Sequence, residues 1–355
     1  MRRILVLLAA VTVAIAFAAP AGADVNLSGI VAFQTYMVDV DNPAGTADDG
    51  DLDWTLDRSC SRLTINFKEG PVSARYEIRP HLTSYVRHWW AAWNFGAGTL
   101  GIGQTYSPEY SCITSTRYGC GSLTAKAGDP RCSSRVPYVW LGLGNLELGA
   151  VEPNIPTTHI VAGGNDWDTS MPKLVAAYKL NLGMVGLKFF GGWQSIEDCV
   201  VAGSTATCYD IDSHVLGVTA TVGVGRLTIK GAVWTGQNVA DYGTGAQAFS
   251  AFYDAASNSI RDSDWMAYQI DLAFKVSDMV KVTAGYISAE SESDRAGSYE
   301  DPIKQYHVNA EFTLAKGVTI TPEYMVLDYD DITQAGVKTE EKKETYIGVY
   351  WQIAF

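Results

Sequence analysis

Arg58, Arg62, Arg75 and Arg79 stand at even spacings in two neighbouring segments that alternate apolar and polar residues. A strand repeats its side-chain direction every two residues. Each arginine pair therefore shares a face, opposite the apolar Leu63, Val72, Tyr76 and Ile78. Guanidinium groups stay charged in proteins and pair with anions. Where such charges ring a narrow aqueous passage, they set its ion preference. A second charged group follows between Ser107 and Arg135. It holds Glu109, Arg117, Lys126, Asp129, Arg131 and Arg135, four bases and two acids, a net of +2. The region Asp41–Asp57 is its opposite, with six aspartates and no base. Its carboxylates suit weak Ca2+ binding, but the run DVDNPAGTADDGDLD lacks the ligand spacing of a calcium loop. A solvated acidic loop is the plainer expectation.

Six cysteines, Cys60, Cys112, Cys120, Cys132, Cys199 and Cys208, form an even set. In an exported chain that points to disulfides. Cys199 and Cys208 fall in one connection and are expected to bridge each other. Cys60 shares the face of Arg58 and Arg62 and is expected to tie the 107–135 segment to the wall through Cys112, Cys120 or Cys132. No CxxC or CxxCH occurs, so neither a zinc site nor haem attachment is expected. His81, His88, His159, His214 and His307 are scattered over separate segments and read as polar groups rather than metal ligands. The stretch GAGTLGIG has no following Lys-Ser/Thr and no helix, so it is a hairpin turn and not a phosphate loop. No Ser, His and acid set has the spacing of a hydrolase.

The elements that position these residues are strands. The N-terminus opens MRR, continues through about 16 apolar residues and ends in Ala21-Gly22-Ala23, the pattern of a secretory signal peptide occupying 1–23. Mature residues 24–355 hold no apolar run of spanning length. A membrane position would require a barrel. Tyr 19, Trp 10 and Gly 34 are high, and charged residues are only 18%. The formal charge of −13 becomes −15 once Arg2 and Arg3 are removed, which argues against nucleic acid as a partner. Alternating segments fall at 25–40, 58–67, 71–80, 87–96, 99–106, 136–143, 146–152, 173–180, 185–194, 213–222, 225–235, 264–275, 280–290, 304–314, 318–328 and 344–355. One face is apolar, as in Leu174, Ala176, Tyr178 and Leu180, or Tyr306, Val308, Ala310, Phe312 and Leu314. The other is polar, as in His307, Asn309, Glu311 and Thr313. Short Gly- and Asn-rich connections alternate with long ones, the longest being 107–135. Apolar-out, polar-in strands with this asymmetry of turns require lipid outside and water inside.

The last strand, KETYIGVYWQIAF, places Ile347, Val349, Trp351, Ile353 and Phe355 on one face and ends on an aromatic residue. With the sixteen segments, it makes the mature chain resemble the general diffusion porins of Gram-negative outer membranes. The resemblance implies an all-β fold, a transmembrane antiparallel barrel closed by its terminal strand. It implies a terminal Phe355 read by the barrel assembly machinery, a homotrimer, and contact with outer-membrane lipid and lipopolysaccharide. It also implies that the third external loop, 107–135, folds inward and faces a ladder of wall arginines. Here the eyelet would comprise Arg58, Arg62, Arg75 and Arg79 with Glu109, Arg117, Lys126, Asp129 and Arg131. The loop departs from the family's acidic pattern, because only Glu109 and Asp129 are acidic. The expectation is passive diffusion of small hydrophilic solutes without a cofactor. A sugar- or anion-selective channel is the alternative, with Trp90, Tyr36, Tyr346 and Tyr350 as inward aromatic residues. A barrel enzyme or an adhesin would instead carry no conductance.

Overall fold

A computed structural model describes residues 23–43, 48–80, 85–109, 111–121, 124, 135–161, 163–202, 205–243, 248–293 and 299–355. Residues 1–22, where the signal peptide is expected, together with His81, Lys126, Asp129, Arg131 and Cys132, lie outside the described residues. Sixteen antiparallel staves close into one barrel. They are β1 (Asp24–Asp41), β2 in two pieces (Asp48–Leu56 and Arg62–Glu69), β3 (Val72–Arg79), β4 (Tyr85–Asn94), β5 (Thr99–Thr105), β6 (Val136–Leu143), β7 (Leu146–Val151) and β8 (Lys173–Leu182). The second half comprises β9 (Val185–Ala202), β10 (Thr205–Val224), β11 (Leu227–Gln237), β12 (Ser263–Lys275), β13 (Val280–Ser293), β14 (Tyr299–Ala315), β15 (Val318–Tyr329) and β16 (Lys343–Ala354). Each stave pairs with its sequence neighbours, and β16 returns to β1 in register from Ile30↔Ala354 to Asp41↔Lys343. Gly29 and Phe355 exchange backbone hydrogen bonds of 2.8 and 3.0 Å, which seals the seam. Closure leaves no sheet edge with unpaired backbone groups, the condition for strands to cross lipid.

The side chains divide as the alternation requires. On β16, Ile347, Trp351 and Ile353 are exposed outward, while Tyr346 and Tyr350 are buried inside. On β14, Tyr306, Val308, Phe312 and Leu314 are exposed, whereas His307 and Asn309 are buried. No helix among the described residues is long and apolar enough to cross a membrane. The crossing is made by strands. Inside the barrel an apolar cluster still forms, because connections fold inward. Ile113 from the 106–135 connection and Val239 and Tyr242 from the connection between β11 and β12 pack with Phe190, Val215 and Trp234 of the wall.

Three local features differ from simple alternation. Asp48–Leu56 is not loop but strand, paired with β1 from Phe33↔Leu56 to Val40↔Asp48. The break in β2 comes later, at 57–61, where Asp57 accepts hydrogen bonds from Ser59 N (2.8 Å) and Cys60 N (3.2 Å). Such an Asx turn competes with ladder pairing. Next, β9 and β10 pair without interruption out to Ala202↔Thr205. Cys199 and Cys208 are thus directly opposed across a long hairpin rather than joined within a loose loop. Finally, the β3–β4 register jumps from Glu77↔His88 to Ile78↔Val86, leaving Arg87 as the extra residue of a bulge. A bulge turns a side chain that strict alternation would send the other way.

Candidate pore constriction

The bulge decides the charged site. Arg87 and His88, adjacent in sequence, both end up buried on the inner side. Arg87 Nε donates to Glu77 Oε1 at 2.7 Å, and its Nη1 donates to the Ser59 carbonyl. Arg75 Nη2 donates to Glu77 Oε2, and Thr64 Oγ1 donates to the same oxygen at 2.9 Å. Arg62 Nε lies 3.8 Å from Glu77, and its Nη1 donates to the Cys60 carbonyl at 3.1 Å. Three guanidiniums therefore surround one carboxylate whose side chain is 1% exposed, leaving a local excess of two positive charges. His88 sits beside them, its Nδ1 2.9 Å from Thr105 Oγ1. Arg135 Nε donates to His88 Nε2 at 3.2 Å and stacks 4.4 Å above the Tyr106 ring.

The structure brings together only part of the expected ladder. Arg62 and Arg75 join the cluster. Arg58 is exposed in the 57–61 turn, off the strand that was to aim it. Arg79, at the outer end of β3, stacks 4.0 Å from the Tyr85 ring instead of reaching Glu77. Arg87 takes a place that parity counting missed. The available signal was the run YVRHWW, whose Arg-His pair cannot alternate without exposing one charged group to lipid.

The 106–121 connection runs around the other wall. Trp234 Nε1 on β11 donates to Ser111 Oγ at 2.8 Å. Asp271 on β12 accepts from Ser115 N at 3.2 Å, and Asn309 Nδ2 on β14 donates to the Ser115 carbonyl at 2.8 Å. Glu323 on β15 is 3% exposed. It accepts from Arg117 N (2.7 Å), Tyr118 N (3.0 Å), Asn309 Nδ2 (3.1 Å) and the Tyr36 hydroxyl (3.2 Å). Gly119 N then donates to Gln34 Oε1 on β1 at 3.1 Å, and Tyr118 OH donates to Asp53 at 2.9 Å. The path ends at Cys120, which is bonded to Cys60 in the β2 turn. Cys112 is also disulfide-bonded.

Two loop residues expected opposite the arginines are placed elsewhere. Arg117 pairs with Glu311, which also holds Lys281 at 2.8 Å, so its charge is matched against the far wall. Glu109 is fully buried and accepts from the Tyr242 hydroxyl at 3.4 Å. Tyr36, Tyr346 and Tyr350, the inward aromatics of the seam, are buried against this arrangement: Tyr346 OH donates to Glu344 (2.6 Å) and Tyr350 OH to Asp57 (3.1 Å). Trp90 remains open toward the arginine side. At the seam, Trp351 Nε1 donates to Thr35 Oγ1 at 3.2 Å, and the Phe355 ring covers Gly29. The two acidic pairs of cysteine neighbours, Asp57 with Cys60–Cys120 and Glu197 with Cys199–Cys208, offer no thiolates, because all four sulfurs are in disulfides.

A closed sixteen-stave barrel, apolar outside and holding a basic wall opposite an inward connection, defines a transmembrane channel of the outer-membrane type. A family model described as Gram-negative porin matches residues 10–332, and the chain belongs to that family. It is an outer-membrane β-barrel channel for passive diffusion. A comparison with curated sequences finds no match. Among solved structures, the outer membrane channel DcaP of Acinetobacter baumannii is similar at TM-score 0.72 and 20% identity, covering 95% of this chain and 99% of that one. The trimer form of OmpT from Vibrio cholerae is similar at TM-score 0.61 and 14% identity, covering 94% and 100%. An anion-selective porin from Comamonas acidovorans is similar at TM-score 0.59 and 15% identity, also covering 94% and 100%. At these identities the likeness concerns the fold.

Proposed function

We propose that this porin is an anion-preferring channel for small hydrophilic solutes, with its selectivity set where Arg62, Arg75 and Arg87 face the inward connection. One observation carries the reading: the two walls differ in uncompensated charge. Three arginines share Glu77, whereas Asp271, Glu311 and Glu323 opposite are already engaged by loop N–H groups, Arg117 and Lys281. A passing anion within a few Å of the arginines gains about 1 kcal/mol per unit charge at 4 Å in water. The acidic residues of the outer mouth are screened beyond about 8–10 Å at physiological salt. Reversal potentials across a salt gradient test this. Anion preference should hold at high salt and weaken as salt is diluted. Strong cation selectivity at every salt concentration would overturn it.

The working unit in this reading is a homotrimer in contact with outer-membrane lipid and lipopolysaccharide, as the trimer form of the Vibrio relative suggests. Phe355 serves the barrel assembly machinery. Its exposed ring at the end of the closing strand supports that role. Deleting Phe355 should lower the yield of folded, heat-modifiable barrel, and unchanged yield would count against it. The reading is of a channel rather than a barrel enzyme.

A further inference from the structure

Immediately below the arginine cluster the inner wall changes character. Trp90 lies directly across from Arg75 in the β3–β4 register, and Trp140 across from Gly101 in the β5–β6 register. The Trp90 and Trp140 rings meet edge to face at 6.1 Å and 78°. Tyr138 is tilted against Trp140, at 4.8 Å and 32°. Two glycines of β5 make this shelf possible. A Cβ at Gly101 would lie 2.0 Å from the Trp140 ring. Gly103 has φ +125°, and a Cβ there would lie 2.6 Å from the Trp90 Cα. The Trp140 ring therefore presses onto bare backbone at Gly101, the strands close up at Gly103, and a cavity of about 480 Å³ opens beside the rings. Its lining includes Arg62, Arg75 and Arg87 around Glu77, together with Trp90, Trp140 and Tyr138. The volume falls in the range of small-molecule sites. Arg75 Nε faces no acceptor: it is buried and has no hydrogen-bond partner among the described residues.

We propose that this cavity is a binding subsite for single-ring aromatic anions, carboxylates or sulfonates, on the path through the pore. It rests on the anion-preferring reading and names the solute class that the wall retains. The anionic group sits at Arg62 and Arg75 and accepts from the exposed parts of their guanidiniums, the two side chains being 27% and 34% exposed. The ring lies against Trp90 and Trp140. Guanidinium geometry suits a planar two-oxygen anion, and aromatic pairs add roughly 0.5–1.5 kcal/mol beyond the area they bury. An aliphatic anion of equal charge meets the arginines but gains nothing specific from the rings.

The test is single-channel recording in planar bilayers with benzoate, cyclohexanecarboxylate and acetate as probes, each added to a chloride background. Benzoate should interrupt the chloride current at a concentration roughly two- to tenfold lower than cyclohexanecarboxylate, with acetate weakest, the ratio expected of an aromatic contact. In Trp140→Leu that ratio should collapse toward one. Heat-modifiable mobility checks that the variant folds, and the comparison of the three probes on the native channel needs no variant. Equal block by benzoate and cyclohexanecarboxylate in the native channel, or a ratio unaltered in a folded Trp140→Leu, would overturn the subsite. The potassium chloride reversal potential of the native channel is read separately. It tests the anion preference itself, so a channel that prefers anions but does not discriminate the rings sinks the subsite alone.

Discussion

The two walls of this barrel use charge in opposite ways. Along β2–β7 the staves are short, with eight residues in the inner piece of β2 and six in β7, and the arginines crowd a single glutamate. Along β9–β15 they reach 20 residues, and the acids are distributed over several strands. A count of charges would make the second wall a cation path. The hydrogen bonds show those acids engaged instead. Three buried carboxylates there hold something in place: Asp271 and Glu323 the third connection, and Asp198 the next one through Ile160 N (2.6 Å) and Val161 N (2.8 Å). An acid with its acceptors filled is scaffolding. An arginine with donors to spare is available to a solute. Wall charge must therefore be read after the loops are docked.

The comparison breaks most visibly at Glu77. Glu77→Gln leaves three mutually repelling guanidiniums around a buried amide, and loss of one member of a buried ionic set costs about 3–5 kcal/mol. The temperature at which the folded gel species is lost should fall sharply. An unchanged temperature would show that water already compensates the cluster. An effect of similar size belongs to the loop's covalent anchor. Cys60 and Cys120 are 60 residues apart, and closing such a loop is worth about 4 kcal/mol on the chain-entropy model. Replacing both with Ser should raise open-channel current noise as well as lower stability. For Cys199 and Cys208, nine apart, the same change should cost about 2–3 kcal/mol and leave the noise as it was, because that pair lies in an outer hairpin. Equal noise from both double variants would dissolve the distinction between anchoring the pore loop and clamping a hairpin.

Glu323→Gln is the corresponding test on the far wall. It weakens charge-assisted bonds to Arg117 N and Tyr118 N, at roughly 1–3 kcal/mol. Proteolysis within the 106–121 connection should become faster, while the sign of ion selectivity stays the same. A reversal of selectivity would mean that the far-wall acids face the pore after all. The smallest effects are expected for two arginine variants, of which Arg75→Gln is the larger. Removal of one unit charge near the path should lower the anion-to-cation permeability ratio by roughly fivefold, the equivalent of about 1 kcal/mol. Arg117→Gln should change it less, since that charge is matched by Glu311. If the two variants shift selectivity equally, the asymmetry between the walls has no functional meaning.

Alternation by itself determined the barrel, its sixteen staves, the outward Tyr306, Val308 and Phe312, and the basic face of Arg62 and Arg75. Lipid on one side and water on the other leave a strand no other way to bury its residues, so the period of two is legible in the chain. The wall position of Arg87 was not legible, because one bulge residue inverts the parity of everything beyond it. Nor was the loss of Arg58 to a turn, which the Asp57 side chain nucleates against strand propensity. Most of all, sequence could not say which acids stay available to solutes. That depends on which carboxylates meet the backbone of an inward loop more than a hundred residues away, as Glu323 meets Arg117, and only the closed barrel brings those groups within hydrogen-bonding distance.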